Sequence, residues 1–310
     1  MIPFFSARHV EAAVTPKRAY DAVRDAFVAH ARGEWTMQPK LYVTNYPAGD
    51  FRAMPALGGG HALLKWVTSF PGNPERGLPT VSGLVILSDA ETGLVEAVLD
   101  AGSVTALRTG AAAVLAAETL EASGGVASVI GVGVNGRAAA RTFKALGRDV
   151  ALWDVDEERA RAVAADLGVG IARSLNEALA ADAVVTVTPG RTILIPEGTL
   201  RAGQHVSLMG ADGPGKAEIA VAELRRARIF CDEWEQASHG GELAAAVEAG
   251  AIARGDVTEL GFVLTGDAEG RCSPEEITIF DSTGLAIQDL AIAIAALEQA
   301  NELDLPTMDV

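Results

Sequence analysis

Cysteine is scarce in this sequence of 310 residues, and so are long apolar runs. The two cysteines, Cys231 and Cys272, lie far apart, so they form neither a disulfide framework nor a recognisable metal-ligand spacing. We therefore expect no metal site and a reduced, cytoplasmic location, because disulfides persist mainly in oxidising compartments. No apolar run reaches the length of a membrane span, and the first residues lack the basic region and apolar core of a secretory signal.

Basic charge is also in short supply. Lys and Arg number 25 against 41 Asp and Glu, which gives a formal net charge of −16. Nucleic acids and anionic membranes attract basic surfaces, so neither is expected as a partner. Apolar residues make up 49% of the chain and charged residues 21%, which is typical of a globular protein, and the length suggests two domains.

What the sequence does contain is a glycine-rich turn between a strand and a helix. Residues 126–132 are mostly apolar, as in a buried parallel strand, and residues 137–146 have helical spacing. Between them lies a complete G-x-G-x-x-G motif formed by Gly131, Gly133 and Gly136. A second apolar strand, residues 150–153, ends at Asp154.

This order of elements is typical of a dinucleotide site. The first glycine permits the tight turn, the second lets a pyrophosphate approach bare backbone, and the third lets helix and strand pack closely. The helix N-terminus attracts the phosphates. Asp154 can accept hydrogen bonds from a ribose and would repel a 2′-phosphate. The alternative is an ordinary glycine-rich turn.

A different pattern fills residues 40–101, where short β-like runs broken by Gly and Pro predict an antiparallel sheet. Alternation along the strand at 62–69 places Lys65 on one face with Leu63 and Val67. A lysine that extends from a sheet edge into solvent is the alternative to a functional one. On the next predicted helix, residues 103–120, Arg108 shares its face with small residues, so it either reaches a ligand anion or lies in solvent.

Beyond residue 126, strands and helices alternate as in a doubly wound parallel sheet. Ligands collect at the carboxyl ends of such strands. Thr188, which ends the strand at 183–188, is therefore expected beside the dinucleotide, unless it only satisfies backbone groups. Asp212 lies in a Gly- and Pro-rich turn after the strand at 204–209 and either faces the same edge or forms an Asx turn. Residues 218–227 and 285–300 are predicted helices.

Several separated motifs agree with one another. On them the chain resembles the ornithine cyclodeaminase/μ-crystallin family, which also contains archaeal-type alanine dehydrogenases and ketimine reductases. The matching segments cover nearly the whole chain in the family's order. They are residues 52–55, Lys65 with 70–73 and 77–80, 105–112, 131–136, 210–216 with Glu218, and 282–290.

The resemblance implies an α/β fold in which a Rossmann doubly wound parallel sheet is inserted into an α+β domain with an antiparallel sheet. Residues 1–119 and 285–310 would form the substrate-binding and dimerisation domain, and residues 120–284 the dinucleotide-binding domain. In this family two antiparallel sheets close into a shared barrel, so a homodimer is expected.

The resemblance also implies residue roles. Arg52, Lys65 and Arg108 match the residues that hold the substrate carboxylate, and the neighbouring cations would lower the pKa of Lys65 so that it can act as a base. Asp212 matches the proton donor and acceptor beside the substrate amine, so Lys65 and Asp212 are the expected catalytic residues. The expected cofactor contacts are Thr80, Arg108, Gly131, Gly133, Asn135, Gly136, Asp154, Thr188, Met209, Lys216 and Ser282.

The implied chemistry is hydride transfer between nicotinamide and the Cα of a small L-amino acid, with a keto acid or imine as the other substrate. Asp154 favours NAD, although Arg159 and Arg161 leave NADP as an alternative cofactor. The interval of 13 residues from Arg52 to Lys65 is shorter than in cyclodeaminases proper and resembles the alanine dehydrogenase type. Ornithine or lysine cyclodeaminase is the second hypothesis, and a non-enzymatic NADPH-binding protein like μ-crystallin is the third.

Overall fold

The computed structural model describes residues 1–122, 124–190, 192–211, 213 and 215–309. The chain divides into two compact units: unit 1 consists of residues 1–108 and 285–310, and unit 2 consists of residues 109–284. No helix within the described ranges is long and apolar enough to cross a membrane.

Both units contain helices and strands. In chain order the strands are β1 Ile2–Phe5, β2 Thr36–Met37, β3 Leu41–Asn45, β4 Gly49–Gly58, β5 His61–Ser69, β6 Val81–Asp89, β7 Val95–Asp100, β8 Ala127–Ile130, β9 Val150–Trp153, β10 Gly170–Ile171, β11 Ala183–Thr186, β12 His205–Leu208, β13 Arg228–Cys231, β14 Val257–Glu259, β15 Thr278–Asp281 and β16 Thr307–Met308. The helices are α1 Ala7–Ala13, α2 Pro16–Ala31, α3 Ala101–Leu120, α4 Val134–Ala145, α5 Glu157–Leu167, α6 Leu175–Leu179, α7 Val221–Leu224, α8 Trp234–Gly240, α9 Ala244–Glu248, α10 Leu260–Thr265 and α11 Ala286–Leu297.

Unit 1 is built on a largely antiparallel sheet with the strand order β16-β1-β7-β6-β5-β4-β2, and β3 pairs with β4. Among the described pairs, β1 and β7 run parallel and the others run antiparallel. A two-residue turn, Gly59-Gly60, joins β4 to β5, and its φ angles of +59° and +81° favour glycine. The helix α11 packs against β4 and β5, so one face of these strands is covered.

Unit 2 is built on a parallel sheet with the strand order β10-β9-β8-β11-β12-β15-β13-β14. The central strands β8, β11, β12 and β15 are buried along their whole length, which explains their mostly apolar sequences. After β8 the chain adds β9 and β10 on one side of the sheet. The later strands, beginning with β11, lie on the other side of β8, so the strand order reverses between β8 and β11. The predicted α/β class, with a doubly wound sheet inserted in an α+β unit that has an antiparallel sheet, is confirmed.

Several predicted elements of unit 2 are shorter than expected, and for one helix and one strand the structure shows a specific cause. The helix predicted at 218–227 is reduced to α7, because the backbone before it pairs with residues 194–195. The carbonyl of Glu218 accepts from the N–H groups of Leu194 and Ile195, and Ile219 forms a bridge with Ile195. The helix can therefore begin only at Val221. The strand predicted at 183–188 ends at Thr186, since the N–H of Thr188 donates to Glu218 instead of continuing the sheet.

Candidate active site

The glycine-rich turn of unit 2 links β8 to α4. Gly131 has a φ of +90°, and a β-carbon added at Gly136 would lie 1.9 Å from the carbonyl oxygen of Gly131, so both positions require glycine. A β-carbon at Gly133 would meet no described atom within 4 Å beyond its own neighbours. Bare backbone is thus available at the N-terminus of α4, which fits a pyrophosphate.

Asp154 directly follows β9, and its carboxylate is buried. It accepts hydrogen bonds from the N–H of Val132 at 2.6 Å, from Arg159 Nη2 at 2.7 Å and from the N–H of Asp156 at 2.9 Å. Burial favours the neutral acid, but the hydrogen bonds from Arg159 and the two backbone groups outweigh it, so the pKa of Asp154 lies below its usual value. A fixed negative charge therefore lies beside the glycine-rich turn.

Thr188 is bound to the carboxylate of Glu218. Its hydroxyl and its N–H both donate to Glu218 Oε1, the N–H at 3.0 Å. The same carboxylate accepts from the hydroxyl of Thr186 at 2.6 Å and from the N–H of Gly210 at 3.2 Å. Burial raises the pKa of Glu218 in spite of these donors. Glu218 therefore ties the carboxyl end of β11 to Gly210, where the segment 210–216 begins.

The structure places several predicted cofactor contacts at the carboxyl edge of the parallel sheet. Gly131, Asp154, Thr188, Met209 and Ser282 each follow the end of a strand, namely β8, β9, β11, β12 and β15. The hydroxyl of Ser282 donates a hydrogen bond of 3.0 Å to Asp232.

The remaining predicted contacts lie elsewhere along the chain. Asn135 lies in the first turn of α4, and the half-buried Lys216 precedes α7. Thr80 belongs to unit 1 and precedes β6. Asp212, a predicted catalytic residue, lies outside the described residues.

Lys65 lies on the inward face of β5, an interior strand of the unit 1 sheet, and is 1% exposed. Directly across the sheet, its neighbours are Met54 on β4 and Val85 on β6. The alternative in which this lysine extends from a sheet edge into solvent is therefore wrong.

Two carboxylates form ion pairs with the predicted cations of unit 1. Lys65 Nζ donates a hydrogen bond of 2.8 Å to Asp289 Oδ1, and Arg108 Nε lies 3.5 Å from the same oxygen. Arg52 Nε donates at 2.6 Å to Asp50 Oδ1. Arg108 Nε and Asp289 Oδ2 are buried and have no hydrogen-bond partner among the described residues. The cluster can therefore accept a further polar ligand.

Burial lowers the pKa of Lys65 to about 8, and it does so more strongly than any neighbouring charge. The ion pair with Asp289 opposes this shift, while Arg108 and Arg52 add to it. The expected direction of the shift is thus correct, but its main cause is loss of water rather than the neighbouring cations. A pKa near 8 lets Lys65 exchange a proton close to physiological pH.

Sequence reasoning missed both carboxylates. Asp50 lies two residues before Arg52 on one strand, so alternation places the two side chains on the same face and could have identified it. Asp289 is 224 residues away from Lys65, and no local pattern relates the two. Its position in the matching segment 282–290 was the available signal.

The chain matches the ornithine cyclodeaminase/mu-crystallin family over residues 3–303. It is 44% identical over 301 residues to the alanine dehydrogenase of Archaeoglobus fulgidus, covering 94% of this chain and 92% of that protein.

Two solved structures show the same fold. An archaeal alanine dehydrogenase dimer with bound NAD superposes with a TM-score of 0.91 at 41% identity, covering 97% of this chain and 96% of that one. The iminosuccinate reductase of Paracoccus denitrificans in complex with NAD⁺ gives 0.89 at 30% identity, covering 97% of each chain. The family inferred from the motifs is confirmed: the chain belongs to the ornithine cyclodeaminase/mu-crystallin family.

Proposed function

We propose that this chain is an NAD-dependent oxidoreductase that transfers hydride between nicotinamide and the Cα of a small L-amino acid or its imine. The observation that carries this proposal is the cluster of the buried Arg52 and Lys65 with Arg108, whose side chain is 11% exposed, because cations withdrawn from water are costly without anionic partners. Asp50 and Asp289 supply two anions, and the substrate carboxylate supplies the third. The similarity to an alanine dehydrogenase and an iminosuccinate reductase supports the same assignment.

In this proposal unit 1 binds the amino acid. Arg108 donates hydrogen bonds to the substrate carboxylate, and Arg52 and Lys65 lie beside it, so that Cα is held in one orientation. Lys65 also takes up a proton from the substrate amine as the hydride leaves Cα, since its pKa of about 8 makes the neutral form accessible. Asp212 is the second proposed group for proton transfer, beside the amine. Water then adds to the imine and releases ammonia and a keto acid.

Unit 2 binds NAD in this proposal. The glycine-rich turn receives the pyrophosphate, and Asp154 accepts hydrogen bonds from the adenosine ribose. When bound, the cofactor supplies the hydride acceptor at C4 of its nicotinamide. The remaining proposed contacts of unit 2 are Asn135, Thr188, Met209, Lys216 and Ser282, and Thr80 is a proposed contact from unit 1.

The cofactor is NAD rather than NADP because Asp154 is negatively charged. A 2′-phosphate on the adenosine ribose would lie close to this carboxylate and be repelled by it. Arg159, which could otherwise bind such a phosphate, already donates to Asp154 at 2.7 Å.

A cyclodeaminase is the alternative, because the family includes ornithine cyclodeaminases. That reaction needs the distal amine of the substrate to be held for attack on the imine. Here β4 and β5, which carry Arg52 and Lys65, are joined by the two-residue turn Gly59-Gly60. This turn provides no inserted segment to hold a second amine, so a dehydrogenase or reductase is favoured.

We also propose that the protein is a homodimer. The outward face of the unit 1 sheet, opposite the face that bears Lys65, exposes large apolar side chains on adjacent strands. These are Leu57 on β4, Leu64 and Trp66 on β5, and Leu84 on β6. An exposed apolar patch of this kind favours association, and a second copy of the chain is the proposed partner, as in the archaeal alanine dehydrogenase dimer.

Incubation of the purified protein with NAD and a panel of L-amino acids tests the proposed function. A small aliphatic amino acid such as alanine should produce NADH, and pyruvate with ammonia should oxidise NADH. Lys65→Met should lower kcat about 10²- to 10⁴-fold through loss of the base, whereas Lys17→Met, at an exposed site on α2, should retain activity.

The other outcomes of this experiment are also informative. Formation of proline and ammonia from ornithine without net NADH would identify a cyclodeaminase. Binding of a dinucleotide without turnover of any amino acid, keto acid or imine would identify a non-enzymatic binding protein.

A further inference from the structure

The ion pair between Lys65 and Asp289 joins the middle of the unit 1 sheet to the first turn of α11. We propose that Asp289 is a positioning residue, which holds Lys65 and Arg108 side by side so that both can bind the carboxylate of the substrate. This inference rests on the function proposed above, and the proposed role acts through Lys65 and Arg108.

The geometry around one oxygen atom supports this role. Asp289 Oδ1 lies 2.8 Å from Lys65 Nζ and 3.5 Å from Arg108 Nε, so a single atom sets the spacing of the two cations. Asp289 lies in the first turn of α11, where the positive end of the helix dipole favours a carboxylate. The carboxylate is fully buried, so water does not compete for these contacts.

No other described carboxylate can take over the pairing of Lys65. On β4 its neighbour across the sheet is Met54, and on β6 it is Val85, both apolar. The Asp50 carboxylate on β4 is bound to Arg52 through Oδ1 at 2.6 Å and through Oδ2 at 3.3 Å. Asp289 is thus the neighbouring charge that favours the protonated form of Lys65.

The charges of the cluster lead to the same conclusion. Among the described residues, Asp50 pairs with Arg52, and Asp289 is shared by Lys65 and Arg108. The substrate carboxylate would be a third anion for these three cations. Without Asp289 neither Lys65 nor Arg108 would face a carboxylate of the described residues, and a buried cation without an anionic partner is costly. Arg108 Nε, which has no hydrogen-bond partner among the described residues, is then the open donor.

The proton on Lys65 also depends on Asp289. Burial lowers the pKa of Lys65 to about 8, and the ion pair with Asp289 opposes a still larger decrease. Lys65 therefore remains mostly protonated near neutral pH, and it can act as the proposed base only in its neutral form. Loss of the Asp289 charge should lower the pKa of Lys65 further, so that the neutral form appears at lower pH.

The test compares the pH dependence of kcat/KM for amino-acid oxidation in the wild type and in Asp289→Asn. The acidic limb, which reports the free enzyme, should move to lower pH by about one to three units, the effect expected of one nearby opposite charge. KM should rise more than kcat changes, and Asp289→Glu should restore part of the wild-type behaviour. The substrate amine titrates in the same way with every variant. Any difference between the acidic limbs of the wild type and a variant therefore comes from a group of the protein.

Glu96→Gln is the matched control. Glu96 lies on β7 of the same sheet, and its carboxylate bonds to His61 Nδ1 at 2.6 Å and not to the cluster, so its loss should leave the acidic limb in place. An active Asp289→Asn enzyme with the wild-type limb and KM would overturn the proposal. Absence of any turnover by the wild type would instead overturn the proposed function, and this role with it.

A second comparison covers the case in which Asp289→Asn does not fold. In that case we expect the unpaired charge of Lys65 to prevent folding. The double variant Lys65→Met/Asp289→Asn, which lacks this charge, should then recover the circular dichroism spectrum of the folded protein. Equal failure of the single and double variants would show that Asp289 has a structural role independent of Lys65.

Discussion

A β-carbon placed on Gly136 would lie 1.9 Å from the carbonyl oxygen of Gly131, closer than any real contact between such atoms. The first and third glycines of the motif therefore touch each other across the turn. Gly133, between them, has open space on the side where its β-carbon would stand. The three glycines thus serve two separate purposes, since two permit the turn and one leaves room for a ligand.

This difference leads to a prediction with an internal control. Gly136→Ala should lower the free energy of unfolding by about 1–3 kcal/mol or more, because the turn must shift to relieve the clash. Gly133→Ala should change it by about 1 kcal/mol or less, since φ at this position is −70° and nothing is displaced. Denaturation with urea measures the free energy of unfolding, and titration with NAD measures the affinity for the cofactor. Gly133→Ala should nevertheless weaken NAD binding, and unchanged affinity would contradict the proposed pyrophosphate site.

Asp154 should determine the choice of dinucleotide. Asp154→Asn removes the charge that repels a 2′-phosphate and releases Arg159 from its ion pair. We expect kcat/KM with NAD to fall about 10- to 100-fold, the effect of losing hydrogen bonds to a charged group, while kcat/KM with NADP rises. Adding Arg159→Ala to this variant should reduce the gain with NADP. Equal effects on both cofactors would contradict the proposed ribose contact.

The sequence predicted those parts of the fold that depend on local patterns. The strand β9 has the predicted bounds, residues 150–153, because its apolar residues and the polar residue that follows them belong to the element itself. Alternation along β5 also placed Lys65 on one face with Leu63 and Val67, but it did not show that this face is the buried one.

Partners distant in the chain could not be predicted in this way. Asp289 meets Lys65 only because α11 packs against β4 and β5, and nothing in either segment specifies that contact. Glu218 is a similar case, since its carboxylate binds Thr186 and Thr188, while its backbone carbonyl accepts from residues 194–195 and so shortens the predicted helix. Tertiary contacts of buried polar side chains thus account for the main differences from the sequence predictions.

The exposed apolar face of unit 1 leads to a prediction about assembly. Leu64→Glu introduces a charge on the outward face of β5, between β4 and β6, and should convert the proposed dimer into a monomer or weaken it greatly. Leu94→Glu is the matched control, because Leu94 is exposed in the turn between β6 and β7 and lies outside this face. Analytical ultracentrifugation measures both. A Leu64→Glu protein that sediments as the wild type does would contradict the proposed interface.

Stability should depend on pH through a buried acid of unit 2. Burial raises the pKa of Glu242 from 4.5 to about 8, although its carboxyl group accepts hydrogen bonds from the N–H groups of Glu218 and Ile219. Between these two pKa values the folded protein binds the proton more tightly than the unfolded chain does. The contribution of Glu242 to the free energy of unfolding should therefore be largest below about pH 5, and it should decrease as the pH rises toward 8.

Glu242→Gln cannot titrate, so the decrease between about pH 5 and pH 8 should become smaller by an amount on the order of a few kcal/mol. Chemical denaturation at several pH values measures this slope. Glu177→Gln provides the control, because the exposed Glu177 bonds to Arg173 and its pKa is lowered, which places its titration below this range. If Glu242→Gln and Glu177→Gln both keep the wild-type slope, Glu242 is ionised in the folded protein. The backbone donors of Glu218 and Ile219 then outweigh its burial.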